Sequence, residues 1–397
     1  MMTTEQKQYL ETYRDRYRRD LVEDVLPFWL KFGLDKVHGG VYTCLDRDGT
    51  LMDSTKSVWF QGRCGFIFAY AFNNVEKKDE WLAASRSCIE FIENKCFDID
   101  GHMFFTVTDD GAPVQKRRYV FSECFAIMAM AEYALASGDR VWADKALDLF
   151  KKALLMVSTP GFLPAKTTAK GYSHSLTMMW INVIYVLKKV IDDPALDTQL
   201  AESLNLIENY LVKPEYRTIL ESVDEDGCLI DTLAGRVINP GHCIETSWFL
   251  MEAADLFNDP AHVRELGLKV LDWDYEWGWD KEYGGIINFR DCKGFPPQDY
   301  SQDMKFWWPQ CEAIIASLYA YKLTRNPKYL DMHRAANDWA YAHFPDAEFG
   351  EWYGYLHRDG SVAQPAKGNI FKGPFHVPRM MIRSWMLCND ILDEDQI

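Results

Sequence analysis

Apolar residues recur every three or four positions along most of the chain, in segments that come in pairs. This spacing is typical of amphipathic helices, and Gly, Asn or Asp separates the two members of a pair. The first pair is WFQGRCGFIFAYAFNNV with EWLAASRSCIEFIENKCF, and four similar pairs follow. A sixth joins HVPRMMIRSWMLCNDIL at the carboxyl end to residues 5–31 at the amino end. The pattern therefore predicts six helical hairpins.

Short β-like segments that close in a glycine turn separate these pairs. The glycines lie roughly 60 residues apart, which indicates an internal repeat. Four of them follow an aspartate, and Asp-Gly is a hairpin or turn signal. The third and fifth copies end in Lys-Gly instead, so the repeat is degenerate. The six glycines are Gly49, Gly111, Gly171, Gly227, Gly294 and Gly360.

Six helical hairpins joined by such loops predict an all-α fold, an (α/α)6 barrel (toroid) with short β-hairpin-like loops at one rim. We expect residues 1–397 to form this barrel as a single domain. The first helix of each pair is the more apolar on all sides, so it should lie inside the ring. Polar side chains at the starts of these inner helices would then face a central cup.

Composition narrows the class of protein. Hydrophobic residues make up 48% of the chain and charged residues 26%, as in a globular protein with a large core. The net charge of -16 argues against nucleic acid or an anionic membrane as a partner. The amino terminus is too polar for a secretion signal, and no apolar run is long enough to span a bilayer, so we expect a cytoplasmic protein. The cysteines lack zinc spacing and are predicted to be reduced core thiols.

Several polar residues occupy equivalent places at the inner-helix starts. Any one of them alone is more simply explained as a helix cap or a buried, hydrogen-bonded core group. Their recurrence in a repeat favours function for His242 and His376, and also for Arg63 and Glu312. Glu245 stays open, whereas Glu123 and His174 are better explained as caps or core groups. The full set is Arg63, Glu123, His174, His242 with Glu245, Glu312 behind Trp307 and Trp308, and His376 with Arg379.

The two histidines His242 and His376 lie in matching settings. Each follows a Gly/Pro turn and precedes a helical pattern, in NPGHCIETSW and FKGPFHVPR. Because the imidazole pKa of about 6.5 makes both protonation states available at neutral pH, the pair predicts a two-base site. Aromatic residues in WFQG, KFWWPQ and FKGPF lie beside the polar candidates. Since sugars stack their C–H faces on aromatic rings, a carbohydrate is the predicted ligand.

Other chemistries find little support in the sequence. The chain has no phosphate-binding glycine loop, no G-x-S-x-G nucleophile turn and no HExxH zinc motif. His242 and Glu245 could supply half of a metal site, but no second such pair exists, so no metal is predicted. Lys166 and Lys170 lie in a basic loop that could meet phosphate, although a solvated loop is the simpler interpretation.

The chain contains, in this order, the segments FWLKFGLDKVHGGVYTCLDRDG, VWFQGR, FSECFAIMAMAEY, NPGHCIETSWFL, MKFWWPQCEA and FKGPFHVPR. Together they resemble the N-acylglucosamine 2-epimerase family over nearly the whole length. The resemblance implies an (α/α)6 barrel that interconverts N-acetylglucosamine and N-acetylmannosamine, with a small amino sugar as ligand and no required cofactor. It also implies a homodimer, and ATP as an activator that is not consumed, with Lys166 as a possible nucleotide or N-acetyl contact.

The resemblance also implies roles for individual residues. His242 and His376 take the places of the acid/base histidines, and Arg63 and Glu312 those of essential polar residues. Related cellobiose 2-epimerases and aldose–ketose isomerases usually carry a further histidine on the third inner helix, where this chain has Met178 and Met179. This difference favours the N-acyl amino sugar branch, although His174, one turn earlier, could partly compensate.

These residues suggest a mechanism and leave two rivals. One histidine would remove the C2 proton, the other would return one to the opposite face, and Arg63 would stabilise the enediolate. We expect Glu245 to hold the ring N–H of His242, Glu312 to orient a histidine or hold a hydroxyl, and Trp307 or Trp308 to pack on the sugar. A glycoside hydrolase would use carboxylates such as Glu123, Glu245 and Glu312 but would leave the histidines idle. A non-catalytic binding protein would not need the intact polar set.

Overall fold

The computed structural model describes residues 2–164 and 170–395 of the chain. Single π-helical turns at Leu21–Val25 and Trp29–Gly33 extend the first two helices, and further short turns follow the eighth at Ile207–Leu211 and the ninth at Ala254–Leu256. The α-helices are α1 (Thr4–Asp20), α2 (Leu26–Phe28), α3 (Val58–Asn74), α4 (Asp79–Lys95), α5 (Phe121–Ser137), α6 (Arg140–Ser158), α7 (His174–Leu187), α8 (Pro194–Leu206), α9 (Pro240–Ala253), α10 (Pro260–Gly278), α11 (Trp307–Thr324), α12 (Pro327–His343) and α13 (His376–Glu394).

The odd-numbered helices from α3 to α13 form an inner ring. Each packs on the next one around the ring, and α13 closes the ring by packing on α3. The even-numbered helices from α4 to α12 lie outside, each against the inner helix that precedes it, and α1 covers α13. The predicted (α/α)6 barrel is therefore confirmed, and so is the sixth hairpin, which is made from the two ends of the chain.

Burial explains which helix of each pair lies inside. In α5, residues 122–134 are all buried, so this helix has no face for solvent. Its partner α6 is amphipathic, with Leu149 and Phe150 in the core. Asp139, the residue before α6, caps the helix by accepting the N–H of Val141. The buried apolar side chains form one continuous cluster. Across the described ranges, no helix is both long enough and apolar enough to cross a membrane.

Short antiparallel strands connect the helix pairs at one rim. The strand that enters an inner helix pairs with a strand in the loop of the following repeat, as in β3–β4, β6–β9, β10–β11 and β12–β13. The strands are β1 (Cys44–Leu45), β2 (Leu51–Asp53), β3 (Lys56–Ser57), β4 (Phe104–Val107), β5 (Pro113–Lys116), β6 (Tyr172–Ser173), β7 (Val212–Lys213), β8 (Thr218–Ile219), β9 (Ser222–Val223), β10 (Val237–Ile238), β11 (Arg290–Asp291), β12 (Lys305–Phe306), β13 (Tyr355–Leu356) and β14 (Val362–Gln364).

The predicted glycine turn recurs in five of the six repeat copies. The glycine has a positive φ and donates its N–H to the carbonyl three residues earlier at Gly49, Gly111, Gly227, Gly294 and Gly360. Hairpins form in the first, second and sixth copies. In the fourth and fifth copies the predicted turn forms without a hairpin, because β9 and β11 pair with the strands that enter α7 and α9. Part of the third copy, residues 165–169, lies outside the described residues.

Three of the long loops, at residues 35–40, 280–285 and 346–351, share a buried ion pair that the sequence pattern did not reveal. Each loop begins with an aspartate whose backbone carbonyl accepts the N–H of the residue four positions later. The backbone N–H of the same aspartate donates to the carbonyl of the residue five positions later. The aspartate also binds a fully buried lysine. Removing one partner would leave an uncompensated buried charge, so each pair holds its loop in place. The pairs are Lys56–Asp35 at 2.7 Å, Lys305–Asp280 at 3.1 Å and Lys367–Asp346 at 2.8 Å.

The last residue of this shared loop differs in one of the three. It is Gly40 in the first loop and Gly285 in the second, with φ of 74° and 73°. In the third loop the same left-handed position holds Glu351, with φ of 57°. A residue with a Cβ costs about 1–2 kcal/mol in this region of backbone space. Glu351 is therefore a strained position that the other two loops avoid by using glycine.

Candidate functional site

The amino-terminal ends of the inner helices surround a cavity of about 480 Å³. Pockets that bind small molecules have volumes of about 300–1,000 Å³, so the cavity is large enough for a sugar. Glu312 lies directly behind the wall and is fully buried. The structure thus brings the sequence-predicted residues around one cavity, which is lined by Arg63, His242, Glu245, Trp307, Trp308 and His376.

His376 is the first residue of α13, and its orientation is set by Glu312 on α11. The imidazole Nδ1 lies 2.7 Å from Glu312 Oε1. The other carboxylate oxygen of Glu312 accepts the indole N–H of Trp248 at 2.8 Å. Because Glu312 accepts the proton on Nδ1, Nε2 is the nitrogen of His376 that is available to a ligand.

Arg379 lies one turn after His376 and joins two acidic residues. Its Nη2 donates to Glu312 Oε1 at 2.8 Å and also to Glu245 Oε1. The prediction that Glu245 holds the ring N–H of His242 is therefore wrong, because Arg379 reaches from α13 to α9 and takes this carboxylate. Ligand atoms of Glu245, Glu312 and His376 lie within 4.8 Å of one another, as in a metal site. However, the Arg379 guanidinium already supplies the positive charge that these carboxylates need.

His242 lies in the first turn of α9, where Asn239 caps the helix by accepting its N–H at 3.2 Å. Its Nδ1 lies 2.8 Å from Oε1 of Glu221, which lines the same cavity. Glu221 was not among the residues predicted from the sequence, because it lies in the loop between β8 and β9 and not on an inner helix. The one available signal was its place in LESVDEDG, the repeat copy that precedes α9.

The surroundings of the two histidines shift their pKa values in opposite directions. Burial lowers the pKa of His376 well below its usual value, and the Arg379 guanidinium adds to this effect. Burial also disfavours the charged form of His242, but the Glu221 carboxylate outweighs it and raises the pKa of His242. Burial would raise the pKa of Glu221, yet His242 and His174 hold it well below its usual range. One imidazole is thus biased toward the neutral form and the other toward the protonated form.

Arg63 presents an unpaired cation to the cavity. Within the described residues its guanidinium has no hydrogen-bonded protein partner, and its Nε is buried. It packs instead on aromatic rings, 4.1 Å from the centroid of Phe125 and 4.8 Å from that of Phe375. Burial lowers the pKa of Arg63 to about 9, so the group is still charged at neutral pH. A guanidinium in this state can receive negative charge that develops on a ligand.

The indole of Trp308 contacts both imidazoles. Its ring centroid is 5.2 Å from that of His242 and 5.8 Å from that of His376. Trp307 is 6.2 Å from His376. A Cβ on Gly241 would lie 2.4 Å from the Trp308 ring, so this glycine allows the indole to lie against the start of α9. The two tryptophans form an aromatic wall beside both histidines.

Two further candidates lie outside the cavity. Glu123 accepts the N–H of Met103 at 2.7 Å and lies 2.6 Å from His102 Nδ1, so it fastens a loop to α5. His174 is buried behind His242, with Nε2 at 2.7 Å from Thr246 Oγ1 and Nδ1 at 3.4 Å from Glu221. Burial lowers the pKa of His174.

Around the third inner helix, α7, two methionines and one serine form the wall of the cavity. Met178 and Met179 line the cavity there, together with Ser175. Lys166, which was predicted as a possible nucleotide or N-acetyl contact, lies outside the described residues.

The arrangement combines the parts needed to move a proton between two faces of a sugar carbon. His242 and His376 line one cavity with their Nδ1 atoms held by carboxylates. Among residues 2–164 and 170–395, the Arg63 guanidinium has no anionic partner. The aromatic wall of Trp307 and Trp308 can hold a pyranose or an open-chain sugar. A hydrolase would instead need two carboxylates free to act, whereas both Glu245 and Glu312 are bound to Arg379.

Comparisons with known proteins agree with this picture. The family model described as N-acylglucosamine 2-epimerase (GlcNAc 2-epimerase) matches residues 40–372. The N-acylglucosamine 2-epimerase of Bos taurus is 33% identical to this chain over 408 residues, which cover 98% of this chain and 94% of that protein. The cellobiose 2-epimerase of Ruminococcus albus is 25% identical over 402 residues, which cover 91% of this chain and 96% of that protein.

A solved structure shows the same fold. The cellobiose 2-epimerase from Bacillus thermoamylovorans B4167 superposes with a TM-score of 0.85 at 20% sequence identity. The superposition covers 95% of this chain and 99% of that one. The two chains therefore share the same fold over nearly their whole length.

Proposed function

The chain belongs to the N-acylglucosamine 2-epimerase family and is a carbohydrate epimerase, and from this premise we propose that it interconverts N-acetylglucosamine and N-acetylmannosamine. These sugars differ only in configuration at C2. One observation carries the proposal: two imidazoles, His242 and His376, line a single cavity, and their pKa values are shifted in opposite directions.

The reaction begins at a carbon whose proton is acidic. In the open-chain sugar C2 lies next to the C1 aldehyde, so loss of its proton gives an enolate, with the negative charge on the C1 oxygen and the acetamido group still on C2. Neutral His376 takes this proton on Nε2, and the electron pair of the C–H bond forms a C1–C2 double bond. Protonated His242 then delivers a proton to the opposite face of C2, and the C1 carbonyl forms again. The bias of each histidine toward its starting form supports this assignment.

Negative charge develops on the C1 oxygen during the reaction. Arg63 is the group proposed to stabilise it, because its guanidinium lines the cavity and forms no ion pair with protein in the part of the chain that the structure describes. A donor that is already in place for the anion, and that needs no reorganisation, lowers the barrier more than it strengthens substrate binding. Glu312 and Glu221 act by holding the Nδ1 atoms, so that both Nε2 atoms are available to C2.

The wall formed by α7 supports an N-acyl substrate over an unsubstituted sugar. Met178 and Met179 present thioether side chains to the cavity, and Met178 Sδ accepts a hydrogen bond from Thr246, one turn after His242. An acetamido group on C2 must lie beside the histidines, and its methyl group favours such an apolar, adaptable surface. Cellobiose 2-epimerase and mannose isomerase activities are the alternatives on the same barrel.

Proton NMR in D2O tests the proposal directly. N-acetylmannosamine incubated with the purified protein should yield N-acetylglucosamine that is deuterated at C2, because the delivered proton comes from a histidine that exchanges with solvent. Mannose and cellobiose are the comparison substrates. Turnover of mannose or cellobiose alone would replace the proposed substrate class, whereas the absence of C2 exchange in all three sugars would contradict an epimerase that uses these histidines.

The charge of Glu221 should set the alkaline limit of activity. Catalysis needs His376 neutral and His242 protonated, so kcat/KM should fall below the lowered pKa of His376 and above the raised pKa of His242. In either direction of the reaction, the active enzyme carries one proton on the pair of His242 and His376. The plot of kcat/KM against pH should therefore have the same bell shape in both directions. Glu221→Gln keeps the hydrogen-bond acceptor but removes the charge, so the alkaline limb should move to lower pH while the acid limb stays in place. An unmoved alkaline limb would contradict the role of Glu221.

Activation by ATP, assembly as a homodimer and a cytoplasmic location stay predictions. Repeating the exchange measurement with and without ATP tests the first, with ATP hydrolysis followed in parallel because activation without consumption is expected. Sedimentation equilibrium of the purified chain tests the second.

A further inference from the structure

The three loops that share a buried lysine–aspartate pair must also satisfy a buried N–H just after the loop. In two of them a glutamine from the fourth residue of the next inner helix does this. Gln61 Oε1 accepts from Val41 at 2.8 Å, and Gln310 Oε1 accepts from Ile286 at 2.7 Å. Each glutamine also donates to the carbonyl of the same residue. The corresponding N–H in the third loop belongs to Trp352.

The fourth residue of α13 is Arg379, which cannot accept this N–H because its side chain has no hydrogen-bond acceptor. Its guanidinium points into the site, where it binds Glu245 and Glu312. The N–H of Trp352 is instead accepted by Glu351 Oε2 at 2.7 Å. This explains why the left-handed position of this loop holds a glutamate and not a glycine, because a glycine could not supply an acceptor for the next N–H.

The Glu351 carboxylate is fully buried and is balanced by Lys372. The two charged groups are 2.6 Å apart with no exposed surface on either side chain. Lys372 Nζ also donates to the carbonyl of Lys367 at 2.6 Å. Its stem packs so closely on Gly354 that a Cβ there would lie 2.5 Å from the lysine Cδ. The carbonyl of Gly354 accepts the N–H of Trp307, so the lysine is wedged beneath the aromatic wall of the cavity.

Lys372 belongs to the segment FKGPFH, which leads into α13 and ends at His376. We propose that the buried Glu351–Lys372 pair positions His376. The pair takes the place of the glycine and glutamine of the other two loops, so that Arg379 can bind Glu245 and Glu312. This inference rests on the proposed role of His376 as an acid/base group. Neither Glu351 nor Lys372 touches the cavity, so both act through the segment that they fix.

The test uses two variants and one matched control. Lys372→Met leaves a lone buried carboxylate and should lower stability. Glu351→Gly combined with Lys372→Met removes both charges and relieves the positive φ, so it should recover part of that stability. The recovery should be incomplete, because the N–H of Trp352 loses its acceptor. Lys56→Met is the control, because Lys56 is equally buried and binds Asp35 at 2.7 Å, but its segment leads to no histidine.

Two readouts separate positioning from stability. The first is kcat/KM for the epimerised sugar, measured on folded protein, which should fall about 10- to 100-fold in the double variant through kcat because His376 is displaced from C2. The second is the imidazole NMR signal of His376 in protein labelled with 15N-histidine. This signal should shift or broaden in both Lys372 variants, while the signal of His242 stays unchanged as an internal control. Lys56→Met should lose stability without moving either signal.

The NMR readout does not depend on which sugar the protein uses. If wild-type protein epimerises none of the sugars tested, the proposed function fails, yet the His376 signal still decides the positioning role. A double variant with wild-type kcat/KM and an unmoved His376 signal would overturn the inference, because the pair would then serve only to hold its own loop. A shift of His242 as large as that of His376 would also overturn it, since the disturbance would then be general.

Discussion

His376→Asn should abolish epimerisation in both directions, with kcat reduced by at least about 10³-fold, within the range for removal of an acid/base group. Asparagine can still donate to Glu312 from its side-chain amide, so the site should keep its shape and bind the sugar with little change in affinity. The proposed assignment of each histidine to one face of C2 gives a more specific expectation. N-acetylglucosamine should lose C2 exchange with D2O, whereas N-acetylmannosamine should still exchange its own C2 proton through His242 without becoming the other epimer.

This pattern distinguishes a two-base site from a single mobile base. Exchange of both sugars by His376→Asn at near wild-type rates would contradict the role of His376, and loss of exchange from N-acetylmannosamine alone would reverse the assignment of faces. His343→Asn is the control, since His343 stacks on Trp339 of the outer helix α12 and lies away from the cavity. It should leave turnover unchanged.

Arg63→Met should lower kcat by about 10²- to 10³-fold, which is the usual effect of losing one donor to a developing oxyanion. The methionine side chain can still pack on Phe125 and Phe375, so the aromatic surroundings keep a partner. KM should change little, because the charge on the C1 oxygen develops in the transition state. Steady-state kinetics with C2 exchange as the assay would measure both constants.

Arg117→Met provides a matched control for the loss of an arginine that packs on an aromatic ring. Arg117 lies 4.3 Å from the centroid of Phe105, outside the cavity. If Arg63→Met raises KM and leaves kcat intact, Arg63 binds the ground state of the sugar and some other group stabilises the anion. Equal losses in both variants would point to packing as the cause.

The barrel could be predicted from the sequence because its signal is local. Helical periodicity and glycine turns repeat along the chain, and even the hairpin made from both ends follows from counting unpaired segments. The strand pairing could not be predicted, because strands of two residues show no alternation. The pairing of β9 with β6 and of β11 with β10 therefore had no signal in the sequence, although the glycine turns after β9 and β11 form as expected.

In the site, too, the residues with a local sequence signal could be predicted, whereas those that depend on long-range contacts could not. His242, His376 and Arg63 stand at inner-helix starts, where the fold places a residue in the cup whatever its partners are. The partners themselves depend on contacts between distant segments. Glu221 lies in a loop 21 residues before His242, and Arg379 reaches Glu245 from a helix 134 residues away, so neither contact leaves a periodic trace. A sequence can thus indicate which groups face the sugar but not which carboxylate orients each histidine.

The closure of the ring by α1 and α13 has a consequence for how the protein is made. α1 is synthesised long before α13, the helix that it covers, and Met2 N donates to Asp395 Oδ1 across this junction. At roughly 5–20 residues per second, the first helix waits on the order of 20–70 s for its partner. His376 and Arg379 arrive only at the end of this interval. A nascent chain therefore holds His242 and Arg63 long before it holds a complete cup.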